Sequence, residues 1–308
     1  MSSFSYVALI TPKDKTAVAM AICEGTILVG MLLGNVLNGP IIDRTSLPTL
    51  TYINSGFALL PLVIVAIFVT DVTSHSTVQY TWRNVIGLSH LLDAFKCVFK
   101  KREGNSRLLL NLSFVAYSLT YVGSAGLAAN SFFYFVKEKG MTMTEYSVFT
   151  GTSSVLEGVT GPGILLLVRR FSKPHRNNIS ILACASVALG YMFLSLTPIP
   201  HIEWLGLLFL SGKLVFYAEI RLLQTKLCNK DELGRMFAYD ALIQLLLGAG
   251  AAVLIKLLYS ATLQIWSGMF LAVFSLLMVF AMVVVTIIDQ LQQIDNRKVK
   301  ISADSESD

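Results

Sequence analysis

The chain has 308 residues, of which 54% are hydrophobic and only 14% charged, with a formal net charge of +5. Soluble domains carry about 25% charged residues, so this composition excludes an ordinary water-soluble globule and points to a chain solvated by lipid. The mean hydropathy of +0.65 agrees. Residues Met1 to Ile10 hold no charge and do not end in a small-residue cleavage pattern, so no cleavable signal peptide is read there. The four cysteines, Cys23, Cys97, Cys184 and Cys228, are scattered and form no CxxC pair, which leaves neither a zinc site nor a disulfide framework.

A helix that spans a bilayer needs about 20 mostly apolar residues. Eight segments qualify: 17–39, 48–70, 108–136, 145–168, 178–197, 203–223, 236–258 and 264–288. Turn-rich stretches such as Asn38-Gly39-Pro40 and Ser46-Leu47-Pro48 punctuate the first of them, and Pro198 and Pro200 part the fifth from the sixth. Residues 71–107 are long and polar. Their second half, Leu88 to Lys101, has helical periodicity with a basic end, which reads as an amphipathic helix on the membrane surface or as a solvated linker. The expected organisation is therefore two helices over 1–70, a cytoplasmic linker over 71–107 and a six-helix bundle over 108–288. A polar, disordered tail is expected over 289–308.

Eighteen of the 24 Lys and Arg residues fall in the connections on one side of the predicted spans, against Arg44, Lys137, Lys139 and Lys256 on the other. The positive-inside rule then places both termini and the long linker in the cytoplasm. The same placement accounts for a pI near 9.0 without nucleic acid as a partner. The sequons at Asn111 and Asn178 fall on the cytoplasmic side or within the membrane and are read as unglycosylated.

Ionisable residues inside a span are costly and mark ion or substrate paths. They occur at Glu24, Glu157, Lys213, Glu219, Arg221 and Asp240, on the first, fourth, sixth and seventh helices. The second, third, fifth and eighth spans carry none; the second, fifth and eighth recur every third helix, as in the major facilitator fold, in which every third helix stands outside the cavity. The fold expected is thus all-α and transmembrane, with the eight helices as the fifth to twelfth of twelve. Asn35 and Asn38 follow Glu24 within about 40° of one face of the first helix, either as a cavity stripe or as a hydrogen-bonded seam between helices. Tyr117, Tyr121 and Ser124 form an i, i+4, i+7 stripe, as a ligand platform or as packing. Asp240 and Gln244 share a face, but Asp240 lies within two turns of the helix end, where solvation is expected. Arg221 sits in the last turn of its helix, where snorkelling is expected, and Glu219 shares that exposed end. Lys213 lies nearer mid-span.

Several short runs then act together. Tyr6-Val7-Ala8, Met20-Ala21-Ile22-Cys23-Glu24-Gly25 and Gly30 come first, and Ile220-Arg221-Leu222-Leu223-Gln224-Thr225-Lys226-Leu227 later. Asp231-Glu232-Leu233-Gly234-Arg235-Met236-Phe237-Ala238 and Leu258-Tyr259-Ser260-Ala261-Thr262-Leu263 complete the set. Over nearly the whole chain and in order, these runs resemble the proton-coupled folate transporter family of major facilitator carriers. The resemblance implies a proton-coupled carrier of an organic solute. It implies proton coupling for Glu24, and proton and substrate binding for Arg221. The chemistry suits those roles: a carboxyl buried in an apolar span resists ionisation and can exchange a proton, and an arginine stays charged and pairs with an anion. The family's histidine in its eighth helix is replaced here by the stretch holding Leu156 and Glu157. The family's first four helices have no counterpart, so the chain is expected to be an N-terminally truncated carrier that does not transport alone.

The reading is a transmembrane transporter, a proton-coupled symporter of an organic anion such as folate. The alternative is a non-transporting membrane fragment or partner subunit of a full carrier. Expected partners are a small organic solute, protons and the lipid bilayer, in a plasma or endolysosomal membrane, with no cofactor. The sequence contains no HExxH, GxSxG or Walker-type loop, so neither a membrane enzyme nor an ATP-driven pump is indicated.

Overall fold

The computed structural model describes residues 7, 11–12, 15–68, 88–102, 104–171, 176–196 and 202–305. At some helical positions, Glu24 and Asn38 among them, it describes the backbone alone. The first half of the expected linker, the stretch around Pro198 and the residues before Val7 lie outside the described residues.

The described elements are helical: α1 (Thr16–Arg44), α2 (Leu47–Phe68), α3 (Leu88–Phe99), α4 (Ser106–Phe132), α5 (Met143–Phe171), α6 (Arg176–Ser195), α7 (Ile202–Leu210), α8 (Gly212–Leu227), α9 (Leu233–Thr262) and α10 (Met269–Ser305). Setting aside α3, which falls in the 71–107 segment, and counting α7 and α8 as one broken span gives the eight long segments read from the sequence. Four described helical stretches are long and apolar enough to cross a membrane by length and composition: Ser106–Glu138, Asn178–Ser195, Leu233–Thr262 and Met269–Asp295.

The sixth expected span is not one helix. Ser211 turns its hydroxyl back onto the Leu208 carbonyl at 2.6 Å, and Ser186 of α6 donates to the Phe209 carbonyl at 2.7 Å. Side chains thus compete for carbonyls that the helix ladder would use, and the axis breaks between α7 and α8. Close approach of α6 helps to fix the break. A Cβ on Gly190 would stand 2.8 Å from the Leu210 amide nitrogen and 2.9 Å from the Gly206 oxygen, so the two helices meet backbone to backbone.

Beyond the break, α8 is the enclosed element. Every residue from Leu214 to Gln224 is buried, and the helix touches α1, α4, α5 and α6. α10 packs on α6 and α4, α9 on α4, and α1 on α5. The core between them is largely aromatic, with Tyr134, Phe135, Tyr191, Phe216, Phe270 and Phe274 fully buried. α2 leans chiefly on α1, and residues 51–60 are exposed throughout.

Two expectations change. The tail is not disordered from Asp289: α10 continues to Ser305. Its polar extension is rich in helix-forming Gln and Lys. Leu291 packs on a small apolar cluster, and Asn105 donates to Asp295 at 2.9 Å. The amphipathic stretch is neither a free surface helix nor a solvated linker. α3 buries Ala94, Cys97 and Val98. Ala94 and Val98 pack in one cluster with Leu233, Met236, Phe237 and Tyr239 of α9.

A charged clasp locks that contact. Glu232, in the α8–α9 connection, pairs with Lys100 and with Arg102, each at 2.9 Å. Arg102 also donates to the carbonyls of Cys97 at 3.0 Å and Leu227 at 3.3 Å. Burial works against the ionised Glu232, but Lys100 and Arg102 outweigh it and hold its carboxyl below the ordinary value of 4.5. Burial pushes the Cys97 thiol up and the nearby Cys228 thiol up to about 12, so neither is a thiolate at neutral pH. The clasp is therefore a matter of packing and charge.

Arg102→Ala should cost about 1–3 kcal/mol, and Lys100→Ala, whose side chain is 60% exposed, less than about 1 kcal/mol. Because the carboxyl's pKa is depressed on folding, the stabilisation is complete above 4.5 and disappears as the pH falls through the lower folded value. Glu232→Gln should remove that acid-sensitive step. Thermal unfolding in detergent at neutral and acidic pH measures all three, and equal melting points for the two cation variants would contradict this ranking.

Candidate functional site

Lys213, Tyr217 and Arg221 are spaced by four along α8 and share one face of it. They rise about 12 Å from first to last, and groups on α5, α4 and α9 answer the rungs. At the first, Lys213 donates to the Glu157 carboxylate of α5 at 2.9 Å, and Ser153 donates to the same oxygen at 3.3 Å. At the second, the Tyr217 hydroxyl lies 3.0 Å from Ser124 Oγ of α4. Its ring also faces that of Tyr117, with centroids 5.0 Å apart. At the third, Arg221 donates to the Tyr117 hydroxyl at 2.8 Å, and its guanidinium lies 5.5 Å from that ring's centroid. Asp240 of α9 stands 4.0 Å from the same guanidinium nitrogen and accepts from Gln244 at 2.8 Å.

These groups are enclosed. Glu157 is 4% exposed, Arg221 5% and Asp240 2%. Two expectations are thereby corrected. Arg221 does not snorkel, and Asp240 is not solvated. Arg221 turns to Tyr117 of α4 and Asp240 of α9, and α3 packs on α9 just before Asp240, through Leu233, Met236, Phe237 and Tyr239. Glu219, expected at the same exposed end, is buried too. It lies two residues before Arg221, about 200° round the helix and off the ladder.

Of the residues singled out from the sequence, Tyr117, Glu157, Lys213, Arg221, Asp240 and Gln244 come together in this ladder. Tyr121 stacks on Tyr117 with centroids 6.3 Å apart and abuts Gly248 of α9, which reads as support for the platform. Asn35 is half-buried on α1 and joins neither ion pair among the described residues. The side chain of Glu24 lies outside the described ones. Sequence reasoning missed Tyr217, although its spacing of four from both Lys213 and Arg221 was the available signal. It also missed Gln224, fully buried one turn beyond Arg221, whose amide has no hydrogen-bond partner among the described residues. Burying an amide without a partner is costly, so this end of the ladder is suited to receive a further polar group.

Chemically, the ladder holds two cation–carboxylate pairs in an apolar surround, each compensating the other's burial. Such a site can bind an anion at a cation only if the cation's own carboxylate is released or neutralised.

A family model for the Major Facilitator Superfamily matches residues 1–239, a stretch that holds α1 to α8 and ends one residue short of Asp240. No curated protein matches the chain.

Lys213→Met should destabilise the protein by about 3–5 kcal/mol, because it leaves the Glu157 carboxylate buried without its main cation. Adding Glu157→Gln should recover most of that loss. A double-mutant cycle on thermal unfolding in detergent reads the coupling, and strictly additive effects would show that the pair does not interact.

Proposed function

The chain belongs to the Major Facilitator Superfamily, whose members are transporters rather than enzymes, and on that premise we propose that it is a proton-coupled symporter of an organic anion such as folate. It is a multi-pass integral membrane protein of a transporter family. In this reading Arg221 binds the anion, Asp240 is its resident counter-charge, and Tyr117 orients the guanidinium. Glu24 keeps the proton-coupling role that the resemblance implies. Tyr121, Glu157, Lys213, Gln244 and Asn35 line the path or support it.

The observation that carries the reading is the buried Arg221 between Tyr117 and Asp240. Arginine does not give up its proton, so the empty site is balanced by the Asp240 carboxylate. An incoming anion displaces that carboxylate from the guanidinium. The carboxylate is then buried beside a second negative charge, and taking a proton relieves both penalties. One proton and one negative charge enter together, and the site stays neutral throughout. That balance is symport in electrostatic terms. The uneven distribution of Lys and Arg supports cytoplasmic termini and a cytoplasmic linker.

The test is uptake of folate and a small panel of organic anions, at neutral and acidic external pH, by cells expressing the full-length gene product. Uptake should rise at acidic pH. Arg221→Ala should reduce it to background at every pH. Asp240→Asn should leave uptake measurable but flatten its pH response, and Glu24→Gln should weaken that response. Uptake that ignores pH in the parent, or an Arg221→Ala variant indistinguishable from it, would sink the proposal.

A further inference from the structure

A second concavity lies apart from the ladder and shares none of its residues. A groove of about 400 Å³ runs between α4 and α9. Its α4 wall is Asn111, Val115, Ser118 and Val122, and its α9 wall is Tyr239, Ile243 and Leu247. Leu277 of α10 and Phe99 of α3 also line it. Each wall follows a single helix face. From Asn111 to Val122 is eleven residues, about 16 Å of helix. That is close to half of a hydrocarbon core of about 30 Å, or the depth of one leaflet.

The same two faces continue one turn further, past the end of the groove that Phe99 marks. Arg107 precedes Asn111 by four residues on α4, and Arg235 precedes Tyr239 by four on α9. Both are exposed. Two parallel helix faces therefore carry the same pattern, an arginine followed by an apolar track one leaflet deep. An acyl chain matches the track, and a negative headgroup matches the pair of arginines.

We propose that this groove binds one anionic phospholipid of the leaflet on the linker side, with an acyl chain along Val115, Val122, Ile243 and Leu247 and its phosphate at Arg107 and Arg235. The lipid bridges α4 and α9 beside the point where α3 docks. This site is independent of the transport reading, because it uses none of the ladder's residues.

Native mass spectrometry of the purified protein, mixed in detergent with equal amounts of phosphatidylglycerol and phosphatidylcholine, tests it. The parent should retain one phosphatidylglycerol in preference to phosphatidylcholine, each arginine contributing on the order of fivefold. Arg107→Gln and Arg235→Gln should each lower the preference and the double variant should abolish it, whereas Lys101→Gln should not change it. Ile243→Trp, which fills the track, should reduce retention of both lipids. Equal retention of the two lipids by the parent, or a preference that survives the double arginine variant, overturns the proposal. The arginines are exposed, so their variants stay informative if Ile243→Trp fails to fold.

Discussion

A helix that carries Lys213, Glu219, Arg221 and Gln224 and is nonetheless closed in on all sides must have its charges answered from within the protein. That requirement on α8 organises the bundle. Glu157 on α5, Ser124 and Tyr117 on α4 and Asp240 on α9 each stand where an α8 rung needs them. The helices that bear no such residues, α6 and α10, pack against each other around an aromatic core. The break at Ser211 serves the same end. It separates an apolar α7 from a polar α8, so the two can take different directions against α6.

A site made of compensating pairs has no net charge to hold a solute by attraction alone. On the proposed reading, selectivity comes from exchange, one negative group replacing another at a fixed cation. This is why a neutral-looking ladder suits a carrier better than a permanently charged pocket would. A charged pocket would bind its anion tightly and release it slowly, whereas an exchangeable carboxylate supplies a partner on both the loading and the release step.

The lipid-length apolar runs were legible in the sequence because they are set by the solvent and not by contacts. Exposure of individual residues was not legible. Asp240 and Arg221 lie near helix ends in the linear sequence, and a helix end is wet only where nothing packs over it. Here α3 does so, through Ala94 and Val98 on Met236 and Phe237, and that contact joins segments more than a hundred residues apart. The helical tail was missed for a similar reason, since Asp295 is held by Asn105, 190 residues away along the chain. The break at Ser211 was not legible because part of its cause, the Ser186 hydroxyl, belongs to another helix.

The clasp also has a consequence in time. Lys100 and Glu232 are 132 residues apart, and synthesis at about 5–20 residues per second separates their appearance by roughly 7–26 s. For that interval α3 exists while its docking surface on α9 does not. Its apolar face of Ala94, Cys97 and Val98 has the membrane surface, with Leu110 and Phe114 of α4, as its available shelter until α9 is made. The amphipathic pattern of α3 thus serves the nascent chain first and the finished protein second: a helix that waits at the bilayer and is then drawn onto the bundle.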